Sequence, residues 1–432
     1  MGGRQNHTEV DGVTVTTSFD AMWAGLVPVG RVSSGGYRRF AWTREDAVLR
    51  EWFAGECARR GLDLTQDRAG NQWGWWGDPD AAVAAGQPGV AIGSHLDSVP
   101  DGGAFDGPLG VISAFAVVDA LQAAGVCPAV PLGVVNFVDE EGARFGVACA
   151  GSRVLTGAMS AERALALTDA DGMSMARALQ DAGRDPQQYG ADPEALRRVG
   201  AFVELHVEQG KGLVDLGVPV AVASDIWPHG RWRIELPGEA NHAGTTALAD
   251  RADAVLSLAQ VVLASRHTAQ ERGCVATVGK LAVTPGGVNA IASHATGWLD
   301  GRGPQEDQVR ALVAEVESTV TGLGGHLEQE SWTPTTRFDT GLADRLCRVI
   351  GAHSSLSVPV LGTGAGHDAG ILAGAGIRSA MLFVRNPTGI SHSPAEHAER
   401  ADCHAGVEAL TACVTELVGA AAATSAGSGG GG

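Results

Sequence analysis

Positive charge is scarce in this sequence. Its 31 Lys and Arg face 49 Asp and Glu over 432 residues, a formal net charge of −18. That balance argues against nucleic acid or an anionic membrane surface as a partner, because both repel an acidic protein. A small anionic substrate stays open, since a few local arginines outweigh the global field. Cysteine is sparse as well. The seven (57, 127, 149, 274, 347, 403 and 413) are odd in number and form no C-x-x-C pair. Such spacing suits reduced thiols in a cytoplasm and argues against a zinc finger. There is no run of 18 apolar residues, so no transmembrane helix is expected. Met1 to Asp20 is polar and has no apolar stretch of the kind a signal peptide needs, and a cytoplasmic location is expected. What the chain does have is glycine, 61 of 432 residues, about twice the usual ~7%. No G-x-y period organises it, which excludes collagen and suggests a loop-rich α/β protein. With 44% hydrophobic and 19% charged residues the chain reads as folded rather than disordered. Its length favours two domains over one core. Ser425 to Gly432 is Gly/Ser low complexity and is expected to be a disordered tail.

The chain reads as an α/β domain with an insert. A helix is expected over Arg44–Arg60, stopped by Gly61. Val90–His95, Leu132–Val138 and Ala201–Leu205 read as buried strands, with a helix over Leu109–Ala124. Each strand ends beside a potential ligand, as in an open α/β sheet whose sites form outside the carboxyl ends of its strands. The middle alternates differently. Strands are expected at Arg231–Leu236, Val275–Val283, His294–Leu299 and His326–Trp332, with helices over Thr246–Glu271 and Gln305–Leu323. The order β-α-β-β-α-β is the split pattern of a ferredoxin-like sandwich. Residues 1–222 and 338–432 are therefore expected to form the main α/β domain, and residues 223–337 an inserted α+β domain.

The residues able to hold a metal gather at the strand ends. Gly93-Ser94-His95-Leu96-Asp97 offers an imidazole with a carboxylate two residues on. Asp106 lies in a Gly-rich loop, Asp139-Glu140-Glu141 supplies adjacent acids, and His206 and His392 supply two more imidazoles. Each alone is an ordinary structural residue. Together they place three His and two or three carboxylates at one edge of one expected sheet. Zn²⁺ and Mn²⁺ use this N/O donor set. A structural zinc site concentrates its ligands, often thiolates, in a short window. Donors spread from residue 95 to residue 392 without cysteine favour a catalytic centre, with two ions.

The stretches GSHLDSVPDGGAFDGPLGV, VDEEGARFG, ELHVEQG, GEANHAGTT, GGVNAIA, GTGAGHDAG and GISHSPAEH, in that order from residue 93 to 397, carry a resemblance. They resemble the dinuclear metallo-amidohydrolases of the M20 peptidase superfamily, in the branch of N-carbamoyl-L-amino-acid hydrolases, allantoate amidohydrolases and β-ureidopropionases. The resemblance implies an α/β catalytic domain with a mixed sheet and helices on both faces, plus a ferredoxin-like lid and dimerisation domain. It implies two divalent ions per subunit (Zn²⁺ or Mn²⁺, with Co²⁺ and Ni²⁺ as further candidates). His95, Asp106, Glu141, His206 and His392 would bind them, with Asp106 as the bridge. Asp97 would orient His95. Glu140 would be the general base and His242 the donor to the developing oxyanion.

The same resemblance gives Asn289 and Arg302 the substrate carboxylate and Gln209 the carbamoyl amide, and it places His367 and Asp368 at the site. The chain departs from the family pattern in places. Asp300-Gly301-Arg302 stands where Asp-Ile-Arg is common, and Arg385 stands where a neutral residue is common. That added cation would favour a substrate with a second carboxylate or extra ureido oxygens. The expected activity is hydrolysis of the linear C–N amide bond of a small N-carbamoyl acid, such as an N-carbamoyl-L-amino acid or allantoate. The alternatives are an N-formyl or N-formimidoyl amino acid such as N-formylglutamate as substrate, or a non-catalytic metal- or ligand-binding protein on the same fold. Relatives imply a homodimer through the insert.

Overall fold

The computed structural model describes residues 15–354 and 357–419. The tail expected at Ser425 to Gly432 lies outside them. The chain divides into two compact units. The first takes in the described residues up to Ser224, then Phe338–Leu361 and those from Gly366 onward; the second is Asp225–Arg337 with Gly362–Ala365.

Along the chain the strands β1 (Asp63–Gln66), β2 (Gln72–Trp76), β3 (Gly89–His95), β4 (Leu132–Phe137), β5 (Val199–Val207) and β6 (Val220–Ile226) come first. The second unit contributes β7 (His229–Pro237), β8 (Val275–Thr284), β9 (His294–Arg302) and β10 (His326–Thr333). Then follow β11 (Thr336–Arg337), β12 (Val360–Thr363) and β13 (Arg378–Val384).

The larger sheet runs β1-β2-β4-β3-β5-β13-β6-β11, with β12 paired to β6. β3 is parallel to β4 and β5, and β13 is parallel to β5. β2 and β6 join antiparallel, so the sheet is mixed. Every residue of β3 and β4 is buried. Near-continuous apolar runs of this kind need cover on both faces. The helix Pro108–Ala123, apolar almost all round, lies against β3, β4 and β5 and brings Ile112, Phe115 and Val118 to the core. The helix Arg400–Leu417 packs on that helix and on β13, and the short helix Asp368–Gly374 packs on β13 and β5. β3, β4, β5 and β13 all point one way, so the segments leaving their carboxyl ends share one edge of the sheet.

That edge depends on a close strand contact. Gly93 has φ +148°, a conformation side chains rarely adopt, and a Cβ there would run into the Val135 carbonyl oxygen on β4. Gly93→Ala is expected to cost about 3 kcal/mol or more, since backbone cannot yield as a flexible side chain does. A urea unfolding curve with an unchanged midpoint would contradict this.

In the second unit β7, β8, β9 and β10 form an antiparallel sheet of order β10-β7-β9-β8, with the helices Ala254–Glu271 and Glu306–Gly322 as the two crossovers. Burial alternates along β7 and β9, as it does when helices cover one face. Trp232, Ile234, Leu258, Val261, Leu299 and Leu312 meet in its core.

The helix expected from Thr246 begins at Ala254. Asp253 caps it by accepting the Val255 N–H, and Leu248–Asp250 forms a separate 3-10 turn. The sequence reading also missed β1, β2, β6, β11, β12 and β13. Among the described residues no helix is long and apolar enough to cross a membrane.

Candidate metal centre

Two buried imidazoles point their Nε2 atoms at one carboxylate. His95 ends β3, and its Nδ1 lies 3.2 Å from the Asp97 carbonyl oxygen. His206, next to last in β5, has its Nδ1 2.9 Å from the Val207 carbonyl. A carbonyl only accepts, so Nδ1 carries a proton in each ring, and the neutral ring turns its lone pair outward from Nε2. Neither Nε2 has a hydrogen-bond partner, though both are buried. They lie 3.5 and 3.1 Å from Asp106 Oδ1. Gly107, at φ +82°, lets the chain pass the His95 ring, because a Cβ there would stand 2.5 Å from it.

The second oxygen of Asp106 faces elsewhere. Oδ2 is 3.5 Å from His392 Nε2, which in turn is 3.5 Å from Glu141 Oε2. Burial alone would raise the Asp106 carboxyl, but His206, His392 and His95 together hold it well below the usual range. His392 itself is pushed up to about 9, chiefly by its hydrogen bond to Asp106.

The acids of the loop after β4 are set by Asp97. Its carboxylate accepts the Glu140 N–H at 3.1 Å and the Glu141 N–H at 3.0 Å, while Oδ1 also lies 3.4 Å from His95 Nδ1. Asp97 was expected as a clamp on His95; its shorter contacts are to the loop, and its carbonyl faces the ring. Asp139 enters that loop at φ +56°. Glu140 Oε2 ends 3.7 Å from His95 Nε2, and its Oε1 accepts the Cys149 thiol at 3.4 Å. Burial holds Glu140 well above the usual carboxylate range and pushes Glu141 up to about 7.

These side chains form two sets sharing one member: His95, Asp106 and His206, and Asp106, Glu141 and His392. Within each set the donor atoms lie within 4.8 Å of one another. Glu140 belongs to neither. The unpartnered Nε2 lone pairs and the crowded buried carboxylates are what a cation would satisfy, so the residues fit divalent metal.

Other expected residues fall into place unevenly. Gln209 Nε2 donates to Asp106 Oδ2 at 2.9 Å, and its Oε1 is buried without a partner. His367 lies behind His206, with ring centroids 4.5 Å apart, and burial holds it well below its ordinary value. Asp368 is also interior, accepting the Ser152 hydroxyl at 2.5 Å. Both side chains are buried, and His367 groups with Glu204 and His206 as a third set of potential metal donors. Arg385, expected to add a cation for a second substrate carboxylate, has its Nε and Nη2 on Asp402 at 2.8 and 2.9 Å, so its charge is shared with that acid.

In the second unit, His242 is exposed and its Nδ1 accepts the Gly244 N–H at 3.0 Å. The neutral ring therefore carries its proton on Nε2 and can donate from there. The Asn289 carbonyl accepts the Ala243 N–H at 2.9 Å, which ties those two segments together. Arg302 is held by Asp300 at 2.6 and 2.9 Å and donates to the Gly364 carbonyl at 2.8 Å. Gly301 leaves β9 regular: Arg302 still pairs with His229 on β7 and Val275 on β8.

The sequence reading missed Glu396. One of its oxygens accepts the N–H groups of Phe105 and Asp106 at 2.8 and 2.9 Å. The other lies 3.1 Å from the Ser391 hydroxyl, beside His392. It thus fixes two ligand loops against each other. Its place in GISHSPAEH was the available signal. Glu204 was missed too; it accepts the Ser94 hydroxyl at 2.7 Å and the Ala369 N–H at 3.1 Å.

Comparison with known proteins places this arrangement. Residues 91–416 match the family described as peptidase family M20/M25/M40. The chain is 36% identical over 416 residues to the N-carbamoyl-L-amino acid amidohydrolase of Geobacillus stearothermophilus, covering 92% of this chain and 98% of the relative. It is 29% identical to the allantoate amidohydrolase of Escherichia coli, covering 91% and 95%. A solved hydantoinase/carbamoylase family amidase from Burkholderia ambifaria superposes with a TM-score of 0.79 at 31% identity, covering 94% and 98%. The chain belongs to peptidase family M20/M25/M40, on its amidohydrolase branch, and is a hydrolase of C–N bonds in linear amides.

Proposed function

We propose that this chain holds two divalent ions and hydrolyses the linear C–N bond of a small N-carbamoyl acid, an N-carbamoyl-L-amino acid or allantoate. The observation that carries the reading is the single carboxylate of Asp106, with one oxygen toward His95 and His206 and the other toward His392. A carboxylate has two oxygens and spans two ions, whereas an imidazole holds one. His95 and His206 would complete one site, Glu141 and His392 the other. The donors suit Zn²⁺ or Mn²⁺, and also Co²⁺ or Ni²⁺.

Such ions supply Lewis acidity and lower the pKa of water toward 7 when bound. The rest is work for side chains. Glu140, raised by burial and free of both sets, takes the proton of the attacking water and passes it to the leaving nitrogen. Asp97 holds the Glu140 backbone, and so the position of the base. His242 donates from Nε2 to the oxygen that gains charge. Gln209 orients the carbamoyl group. Asn289 and Arg302 take the α-carboxylate. The exposed Leu256, Leu263, Leu281 and Val283 of the second unit suit burial against a second copy in a homodimer.

Arg302→Ala is expected to raise KM about tenfold on a substrate with a free α-carboxylate and leave the matching carboxamide unchanged. The change lies at the low end for a charged hydrogen bond because Asp300 already shares the guanidinium. Equal losses on both substrates would make Arg302 structural. The whole reading is tested by a substrate panel on the full chain with Mn²⁺, Zn²⁺ or Co²⁺ added. Ammonia release from N-carbamoyl acids or allantoate is expected. Formate release from N-formyl acids alone would move the assignment to those substrates, and no turnover on any would defeat it.

A further inference from the structure

A cleft of about 870 Å³ opens in the first unit, and none of the proposed metal ligands lines it. Its walls come from the start of the helix Arg44–Arg59, the end of β1 and the segment 181–189. Four arginines face it: Arg44, Arg50, Arg68 and Arg184. Among the described residues none of the four pairs with a carboxylate. Arg50 Nη2 donates to the Gly70 carbonyl at 2.8 Å, and Arg68 Nε to the Gln188 carbonyl at 3.0 Å. Arg184 reaches the Gln66 side chain and the Asp67 carbonyl. Arg44 is exposed. All of these acceptors are neutral.

Two donors at the cleft have no acceptor at all. Arg50 Nη1 and Trp42 Nε1 are buried and unpartnered. The Trp42 indole sits beneath two of the guanidiniums, 5.2 Å from Arg50 and 5.5 Å from Arg184, and steadies them where a counter-ion would stand.

Four aspartates also line the cleft, Asp46, Asp67, Asp181 and Asp185, and their direct hydrogen bonds and ion pairs go to other groups. Asp46 accepts the Trp42 N–H, and Asp67 accepts from Asn71 and the Trp73 indole. Burial pushes both up to about 6, so both keep most of their charge at neutrality and act on Arg50 and Arg184 through space rather than by direct contact. Asp181 pairs with Arg177, and Asp185 caps the Gln187 N–H. The chain has 49 acidic residues to place. Among the described residues none of the four guanidiniums has a carboxylate at ion-pair distance, so their forks are left for an entering oxyanion to engage directly. The planar fork of arginine matches oxyanion geometry.

We propose that this cleft binds a small oxyanion, a phosphoryl group or paired carboxylates on a metabolite-sized molecule, held by Arg44, Arg50, Arg68 and Arg184. The site is separate from the amidohydrolase centre and does not depend on the substrate assigned to that centre.

Equilibrium dialysis of the full chain against labelled inorganic phosphate, and separately against labelled succinate, tests it. One saturable site per chain is expected for at least one probe. Phosphate binding assigns a phosphorylated ligand, and succinate binding a dicarboxylate. Arg184→Gln is expected to weaken binding about tenfold or more. Arg44→Gln, an exposed change that leaves the fold intact, should weaken it by about threefold or more, so it decides the matter if Arg184→Gln misfolds. Asp106→Ala should leave the affinity unchanged. The proposal is overturned if neither probe saturates, if both arginine variants bind like wild type, or if Asp106→Ala abolishes binding and so places the anion at the metal centre.

Discussion

Glu140→Gln is expected to keep its ions and lose turnover by about 10²–10⁴-fold, the usual worth of a positioned general base. The amide is nearly isosteric with the carboxylate, so the Asp97 contact to the Glu140 N–H and the packing around the side chain survive. What goes is the ability to accept a proton. Glu140 lies outside both ligand sets, so its charge is not what gathers the cations. Metal analysis alongside ammonia release separates the two effects. Near-normal turnover would remove Glu140 from the reaction, and loss of metal would make it a ligand.

Asp106→Ala is expected to do the reverse, emptying the centre before chemistry is tested. The carboxylate faces three imidazoles at 3.5, 3.1 and 3.5 Å, and among the described residues no other acid touches all three. Removing it leaves each set with two members. Loss of one ligand or its close support commonly costs at least 10–100-fold in metal affinity, and here one change strikes both sites. Elemental analysis of the variant after dialysis should find well under one ion per chain. Two ions at normal occupancy would mean that Asp106 is not the bridge.

Much of this was legible in the chain. β3, β4 and β5 are short apolar runs that stop at polar groups, and buried parallel strands leave that mark because both faces are covered. The β-α-β-β-α-β order of the second unit showed through its periodicities. Helix onset was less visible. Thr246 and Asp253 are both capping residues, and only tertiary packing decides which one starts the helix. β1 and β2 were missed because four or five residues give a pattern too little length.

The site divides in the same manner. Donor types at strand ends stood out, because the chemistry restricts them to a few residues. Partners that neutralise a charge from a distance did not. The contact of Arg385 with Asp402 joins a loop to a helix 17 residues on, and nothing local announces it. Arg302 was different. Asp300 is two residues away on the same strand, hence on the same face, and its claim on the guanidinium could have been anticipated.

Glu396 carries a consequence for how the enzyme comes into being. Its carboxylate holds the N–H of Asp106, 290 residues earlier in the chain, and His392 lies just before it. A ribosome emitting this polypeptide releases His95, Asp106, Glu141 and His206 well before the last ligand and the residue that fixes the Asp106 loop. Domains tend to fold as they emerge, yet the nascent first part has an incomplete cage. On the proposed ligand set, cation capture in its final form belongs to the end of synthesis, and a chain cut short before residue 392 would be a scaffold without a catalyst.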